Sequence, residues 1–223
     1  VGGLTALLVG CVALRFRGDF FVFTTLGFQM IVFALLYNWT GLSRGSLGIA
    51  GIPRPEIFGW KVVDVGDYAM LIGLANISLL PTLWLLCRSP FGRRLRALRD
   101  NERAAESLGV SAFRQQLWAF VIASSFAAIA GALFASYLTY IDPTSFTLRE
   151  SILIVSLLLL GGSGNMKGPI VGTFVMLLLP EALRFLGIPG SIAPSVREII
   201  YGGALVLLML WRPKGLAGDY GLR

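Results

Sequence analysis

Residues 88–116, RSPFGRRLRALRDNERAAESLGVSAFRQQ, form the one long polar segment of an otherwise apolar chain. This segment holds seven of the nineteen basic residues and three of the twelve acidic residues. The uncharged runs on either side, 68–87 and 115–141, are each long enough for a membrane helix, which needs about 20 mostly apolar residues. The pattern therefore predicts a polar loop, 88–114, held between two membrane helices.

The composition excludes an ordinary soluble protein. The chain has 223 residues, of which 56% are hydrophobic and 14% charged, against about 25% charged in a typical soluble domain. There is no histidine, and the two cysteines, Cys11 and Cys87, lie in or beside apolar runs. These features predict no disulfide framework and no metal site. We attribute the net charge of +7 to membrane topology and anionic lipid, with no nucleic acid as partner.

The spacing of the uncharged runs predicts an all-α, polytopic transmembrane bundle with about six membrane helices. Three shorter runs near the C-terminus are expected to be short, tilted or re-entrant helices, because 16 residues make only about 24 Å of helix. Because the chain opens inside the apolar run 1–14 without a methionine, we expect it to be a fragment, with further helices before it, of a single transmembrane domain covering 1–223. The six predicted spans are 20–43, 68–87, 115–141, 151–166, 168–180 and 199–211.

The distribution of basic residues predicts which side the polar loop faces. If 88–114 is cytoplasmic and every run crosses, thirteen of the nineteen basic residues lie inside, including Arg15 and Arg17. The positive-inside rule favours that arrangement. The six left outside are Arg44, Arg54, Lys61, Arg149, Arg184 and Arg197.

The sequence of the polar loop predicts two capped helices. Ser89 and Pro90 are a helix start, and Leu95 and Leu98 share one side of a basic amphipathic helix over 89–99, which we place at the lipid headgroups. Asp100 or Asn101 caps a second helix, roughly 101–108, with Gly109 just beyond its end.

The second helix has the features of a docking element. Ala104, Ala105 and Leu108 are spaced to share a face, and small residues permit close approach to a partner's groove. The alternative is a solvated charged loop that only obeys the positive-inside rule.

Residues Glu102–Gly109, ERAAESLG, resemble the EAA loop of ABC importer permeases. More broadly, the segment RSPFGRRLRALRDNERAAESLGV resembles the LivM-type permeases of branched-chain amino acid ABC importers. Four further segments match that family in the same order, and Leu47 departs from it where many members place Asn. Those segments are RFRGDFFVFTTLGF (15–28), GSLGIAGIP (45–53), LLLLGGSGNMKGPIVG (157–172) and WRPKGLAG (211–218).

The resemblance implies a multi-pass subunit of the bacterial plasma (inner) membrane, and not an enzyme. It implies import of branched-chain amino acids with three kinds of partner: a second related permease, two cytoplasmic ATPase subunits and an extracytoplasmic substrate-binding protein. No cofactor is expected on this chain, since the ATPase subunits bind the ATP. The implied ATPase-coupling residues are Glu102, Arg103, Ala104, Ala105, Glu106, Leu108 and Gly109.

Two alternative functions remain open at this stage. Related permeases import urea or short-chain amides. A self-contained secondary transporter would place charges within its spans, and the three clear spans have none. The glycine-rich stretch 161–169 lacks the GxxxxGK[ST] pattern of an ATP-binding loop, so it predicts a close turn between packed helices.

Polar side chains inside two spans are candidates for a translocation path, or else they hydrogen-bond between helices. Glu181 and Arg184 are spaced to pair near a helix end. Tyr68 is placed as an interfacial aromatic, and the outer loop 41–60 as fixed turns without strand or helix. The candidate path residues are Thr24, Thr25, Gln29, Asn76 and Ser78.

Overall fold

The computed structural model describes residues 1–57, 60–162, 164, 166–185, 202–203 and 206. The chain forms two compact units, Val1–Phe146 and Thr147–Arg223. Apart from 202, 203 and 206, the predicted span 199–211 lies outside the described residues, as does the basic tail that follows it.

The described part of the first unit contains seven α-helices, and that of the second unit has two long ones. Those of the first unit are α1 (Gly2–Ala13), α2 (Asp19–Asn38), α3 (Thr40–Ser43), α4 (Val65–Arg88), α5 (Pro90–Asp100), α6 (Glu102–Ser107) and α7 (Ala112–Leu138). The second unit contributes α8 (Leu148–Gly161) and α9 (Lys167–Phe185).

Among the described residues, four helical stretches are long and apolar enough to cross a membrane, which confirms the all-α polytopic fold class. Three of them, α2, α4 and α7, correspond to the clear spans of the sequence, and the fourth is Pro143–Gly161. This fourth stretch joins a 3₁₀ turn, Pro143–Phe146, to α8. Helix α1 is apolar but shorter, with 12 residues.

Helices α1 and α7 pack antiparallel through small residues. A Cβ atom built on Gly2 would overlap Ala128, and one on Gly10 would lie 2.8 Å from Cδ1 of Leu117. Glycine at these positions lets the two backbones approach closely, as is usual between membrane helices. The start of α1 thus lies beside the C-terminal half of α7, and its end lies beside the start of α7.

The segment between α3 and α4, which pairs with the chain just after α7, contains regular structure that the sequence analysis did not predict. Strand β1 (Ile49–Ala50) pairs antiparallel with β4 (Tyr140–Ile141), and β2 (Glu56–Ile57) pairs with β3 (Trp60–Lys61). The prediction that 41–60 holds neither strand nor helix is therefore wrong. The partner of β1, strand β4, follows α7 and is distant in sequence. No local pattern therefore predicts the pairing that satisfies the backbone N–H and C=O groups of β1.

A small apolar cluster fixes α4 to α7 near the C-terminal end of α7. Val62, Tyr68 and Leu71 are buried together, with Leu133 packed against them. The hydroxyl of Tyr68 donates a hydrogen bond to the carbonyl of Ser136 at 2.7 Å. Only 3% of Tyr68 is exposed, so its ring packs between two helices at the start of α4 and does not face lipid.

Asp142 organises the turn after β4 and makes that turn sensitive to acid. Its carboxylate accepts hydrogen bonds from the Ser145 hydroxyl, the Thr144 hydroxyl and, at 3.2 Å, the Ser145 N–H. The Ser145 hydroxyl most of all, and then that of Thr144, hold the pKa of Asp142 below its usual 3.8. A lowered folded-state pKa gives stability that is complete above the unfolded pKa and is lost as pH falls through the folded value.

We therefore expect Asp142→Asn to lower the thermal midpoint of the purified protein at pH 6, because Asn accepts weaker hydrogen bonds than a carboxylate. The difference from the unmodified protein should shrink as pH falls below about 4. Thermal unfolding monitored by tryptophan fluorescence from pH 6 down to about pH 3 measures it. A difference that stays constant over this range would contradict the role assigned to Asp142.

In the second unit, helices α8 and α9 pack backbone against backbone. A Cβ atom on Gly161 would overlap the carbonyl oxygen of Gly168, and one on Gly172 would overlap that of Leu157. This confirms the predicted close turn. Helix α9 continues through Glu181 and Arg184, beyond the predicted end of its apolar run; the predicted pairing of these two residues lies outside the side chains that the structure describes.

Candidate functional site

The polar loop begins with a capped helix, as the sequence predicts. The Ser89 hydroxyl accepts a hydrogen bond from the Gly92 N–H at 3.4 Å, and Pro90 occupies the first helical position of α5. Two α5 arginines cap the end of α4: Arg93 donates to the Arg88 carbonyl at 3.1 Å and Arg96 to the Cys87 carbonyl at 3.2 Å. The two helices are therefore joined rigidly.

The apolar side of α5 faces the protein and not the lipid headgroups. Leu98 is only 7% exposed and packs with Ala105 of α6 and Ala112 of α7. This side is therefore covered by α6 and α7, which fold back over it. The arginines of α5 remain on the outside.

Asn101, and not Asp100, caps the second helix. Its side-chain oxygen accepts a hydrogen bond from the Ala104 N–H at 3.0 Å, and its backbone is extended. Glu102 follows in the first turn of α6, where a negative charge suits the helix dipole. Helix α6 then runs only to Ser107, one residue short of the predicted end.

The end of α6 is closed by a Schellman motif around Gly109. The Gly109 N–H donates to the Glu106 carbonyl at 2.9 Å, and the Val110 N–H donates to the Ala105 carbonyl at 3.1 Å. Gly109 has φ +84°, which glycine adopts without strain, so its predicted position just beyond the helix is confirmed. Val110 packs against the cluster that contains Ala105, and this contact completes the motif.

The side chains of α6 divide into two sets. Ala105 is 3% exposed and faces inward, whereas Leu108 is 84% exposed. The prediction that Ala105 shares a face with Leu108 is therefore wrong, because Ala105 is taken up by packing on α5 and α7. We define the outward surface of α6 by its exposed residues Arg103, Ala104, Glu106, Ser107 and Leu108.

An ion pair joins α6 to the loop between α1 and α2. The Arg17 guanidinium lies 3.0 Å from a Glu102 carboxylate oxygen, and the two side chains are 78% and 37% exposed. An exposed pair contributes at most about 1 kcal/mol. Its importance is geometric, since it places Arg17 at the same end of the bundle as the polar loop, as the charge distribution predicts.

We expect a cysteine at the outward surface of α6 to be inaccessible from outside the cell. Ser107→Cys, in a background with Cys11→Ser and Cys87→Ser, should label with an impermeant maleimide only after the cells are permeabilised. Leu47→Cys is the matched control, because Leu47 is 79% exposed beside β1, at the other end of α7. Labelling of Ser107→Cys in intact cells would refute the cytoplasmic assignment.

Four of the five candidate path residues hydrogen-bond within their own helices. Thr24 and Thr25 donate to carbonyls of α2 at 2.7 and 2.9 Å, and Asn76 and Ser78 donate to carbonyls of α4 at 2.9 Å each. These four bonds do not join α2 to α4. Asn76 and Ser78 are exposed, whereas Gln29 is half-buried and has a polar partner of its own.

A cavity of about 380 Å³ lies beside the outward surface of α6, at the start of α7. The sequence interpretation missed it, because its wall combines residues of α5 with residues of α7 that are distant in sequence. Within the described ranges, no group of three or more His, Cys, Asp or Glu side chains is placed to hold a metal ion. The cavity is lined by Arg94, Leu108, Gly109, Val110, Ser111, Arg114, Gln115 and Trp118.

Comparison with known proteins identifies one family along most of the chain. Residues 1–209 match the family described as branched-chain amino acid transport system, permease component. No solved structure gives a significant match.

Several curated relatives are similar over nearly the whole chain. The high-affinity branched-chain amino acid transport system permease proteins LivM of Salmonella typhimurium and Escherichia coli are both 35% identical over 97% of this chain. The autoinducer 2 import system permease protein LsrC of Salmonella paratyphi B is 28% identical over 92% of it. The match covers 55%, 56% and 62% of these relatives, so the chain spans little more than half their length.

Proposed function

This chain belongs to the branched-chain amino acid transport system permease family, and we propose from that membership that it forms the translocation path of an ATP-driven importer for leucine, isoleucine and valine. The proposed location is the bacterial plasma membrane. The observation that carries the proposal is the outward surface of α6: a short helix, capped at both ends, that presents an 84% exposed leucine beside charged residues.

Two features suggest the proposed partners: the sequence has no ATP-binding motif, and the outward surface of α6 is exposed. Its sequence has no GxxxxGK[ST] motif, so ATP binding and hydrolysis fall to two cytoplasmic ATPase subunits. The outward surface of α6 suits insertion into a groove of such a subunit. A second related permease would complete the membrane bundle, and an extracytoplasmic binding protein would deliver the substrate.

In this proposal α6 acts as a lever. An ATPase motion shifts the membrane helices only if the docked element is fixed to them. Ala105 supplies part of that fixation through its packing with Leu98 and Ala112. The Gly109 turn fixes the direction in which Leu108 projects, and Glu102 ties α6 to the α1–α2 loop through Arg17. Arg103, Ala104, Glu106 and Leu108 are the residues that would touch the ATPase.

The polar side chains of α2 and α4 remain the proposed translocation path. Asn76 and Ser78 are exposed on a helix that is mostly apolar, and a polar group costs free energy when it faces lipid. We therefore infer that a second permease or the path itself covers this side of α4. Thr24, Thr25 and Gln29 are the corresponding candidates on α2.

Reconstituted transport tests the function directly. The intact permease, placed in proteoliposomes with its partner subunits and binding protein, should take up labelled leucine, isoleucine and valine only when ATP is supplied. Urea and acetamide should compete poorly. Strong uptake of urea or acetamide would favour the short-amide alternative, and uptake driven by an ion gradient without ATP would favour a secondary transporter.

A further inference from the structure

We propose that the cavity at the start of α7 binds the headgroup of an anionic phospholipid, with phosphatidylglycerol as the representative ligand. The cavity measures about 380 Å³. This is near the lower end of the roughly 300–1,000 Å³ typical of small-molecule sites. A cavity of this volume can hold the phosphate and the glycerol of the headgroup, while the acyl chains would lie outside it along α7. The site requires only that α7 lies in a membrane, so lipid binding is measured without transport. Leu108 both lines the cavity and belongs to the outward surface of α6, so addition of ATPase subunits is one arm of the test.

The charge of the cavity selects an anion. Arg94 from α5 and Arg114 from α7 both line it, and no acidic residue does. Within the described part of the chain, neither guanidinium has a hydrogen bond or an ion pair. Arg93, by contrast, is engaged with a carbonyl and Arg99 with Asp100. Two unpaired guanidinium groups at one cavity match the oxygens of a phosphate, which they bind through paired N–H donors.

The backbone of α7 adds donors on the same wall. Ser111, which lines the cavity, is the N-cap of α7, a helix of 27 residues, and its side chain makes no capping hydrogen bond. The first N–H groups of a helix have no intrahelical acceptor, and the helix dipole favours negative charge there. A phosphate at this position would therefore meet N–H groups as well as arginine side chains.

The apolar part of the wall favours a lipid over a soluble anion. Trp118 is 55% exposed and lies about two turns inside α7. At such a position tryptophan marks the boundary between headgroups and acyl chains. At the neighbouring end of α4, the Arg88 guanidinium stacks 3.9 Å from the centre of the Trp84 ring. The cavity thus has a basic wall at the start of one membrane helix, α7, and basic pockets on the cytoplasmic side of membrane helices suit anionic lipid headgroups.

Native mass spectrometry of the purified intact permease tests the site. The protein is titrated with dioleoyl-phosphatidylglycerol or, separately, with dioleoyl-phosphatidylcholine. We expect one tight phosphatidylglycerol adduct, and for the double variant Arg94→Gln/Arg114→Gln an affinity roughly 30-fold weaker, since each arginine near the surface contributes about fivefold. The matched control Arg93→Gln/Arg99→Gln removes the same charge from α5 outside the cavity and should keep the adduct.

Four outcomes would overturn the proposal. The first is equal loss of the adduct in both double variants, which would indicate general charge attraction. The second is equal binding of the two lipids. The third is displacement of the lipid by 10 mM inorganic phosphate, which would assign the site to a soluble anion. The fourth is loss of the adduct when ATPase subunits are added, which would assign the cavity to a protein partner.

Discussion

Leu108→Lys is expected to abolish ATP-driven uptake while leaving the permease folded and in the membrane. Leu108 is 84% exposed at the C-terminal cap of α6, so its side chain makes little contribution to the stability of the chain itself. A cation at this end of a helix is favourable, so lysine should not weaken α6. Docking, however, would lose about 2 kcal/mol of apolar burial and acquire an ammonium group without a partner.

The loss of apolar burial alone corresponds to at least about thirtyfold weaker association with the ATPase subunits. Co-purification of those subunits, together with uptake in proteoliposomes, measures the effect. Leu47→Lys is the matched control, because Leu47 is 79% exposed, also precedes a glycine with positive φ, and lies at the opposite end of α7. Normal co-purification of Leu108→Lys would contradict docking through α6.

The same experiment separates docking from folding. Ala105→Trp should also stop uptake, but for a different reason, because Ala105 is 3% exposed between α5 and α7. A tryptophan there cannot be accommodated without displacing α6, so this variant should lose thermal stability even without partners. Leu108→Lys should retain the unmodified thermal midpoint. Therefore only Leu108→Lys measures binding to the ATPase subunits without a change in folding.

Gly161→Ala is expected to disrupt the second unit severely. The new Cβ atom would overlap the carbonyl oxygen of Gly168 and lie 2.6 Å from its carbonyl carbon. These are backbone atoms, so no rotation of a side chain relieves the overlap, and α8 must separate from α9. Overpacking of this kind costs about 3 kcal/mol or more. We expect a large fall in the yield of monodisperse protein and in its thermal midpoint.

Gly131→Ala provides the matched control for this loss. Gly131 also lies inside a long helix, α7, but a Cβ atom built on it meets nothing within 4 Å. Alanine is a better helix former than glycine by about 1 kcal/mol, so this variant should be as stable as the unmodified protein or slightly more so. Equal thermal midpoints for Gly161→Ala and Gly131→Ala would show that α8 and α9 do not pack through these glycines.

The local features of the polar loop were predictable because short-range chemistry determines them. Ser89 followed by Pro90 fixes the start of α5, and Gly109 fixes the turn that ends α6. The choice between Asp100 and Asn101 as the second cap was not, since both side chains have an acceptor oxygen and only the backbone conformation selects one. The three clear spans were predictable for a similar reason: length and lack of charge suffice.

The orientation of the loop residues was not predictable, because it depends on elements distant in sequence. Spacing alone placed Ala105 with Leu108, and only the packing of α5 and α7 around Ala105 separates them. Tyr68 has the position of an interfacial aromatic, yet its hydroxyl finds the Ser136 carbonyl and its ring is buried. The pairing of β1 with β4 likewise requires the return of the chain through α4 and α7.

The sequence by itself determined that this is a polytopic helical membrane protein with a capped, two-helix polar loop, because apolar length, charge and capping act within a few residues of one another. Tertiary structure alone decided which residues of that loop face outward, that Arg17 meets Glu102, and that Arg94 and Arg114 line one cavity. The physical reason is that burial and ion pairing depend on which helices pack together, and a local pattern leaves that choice open.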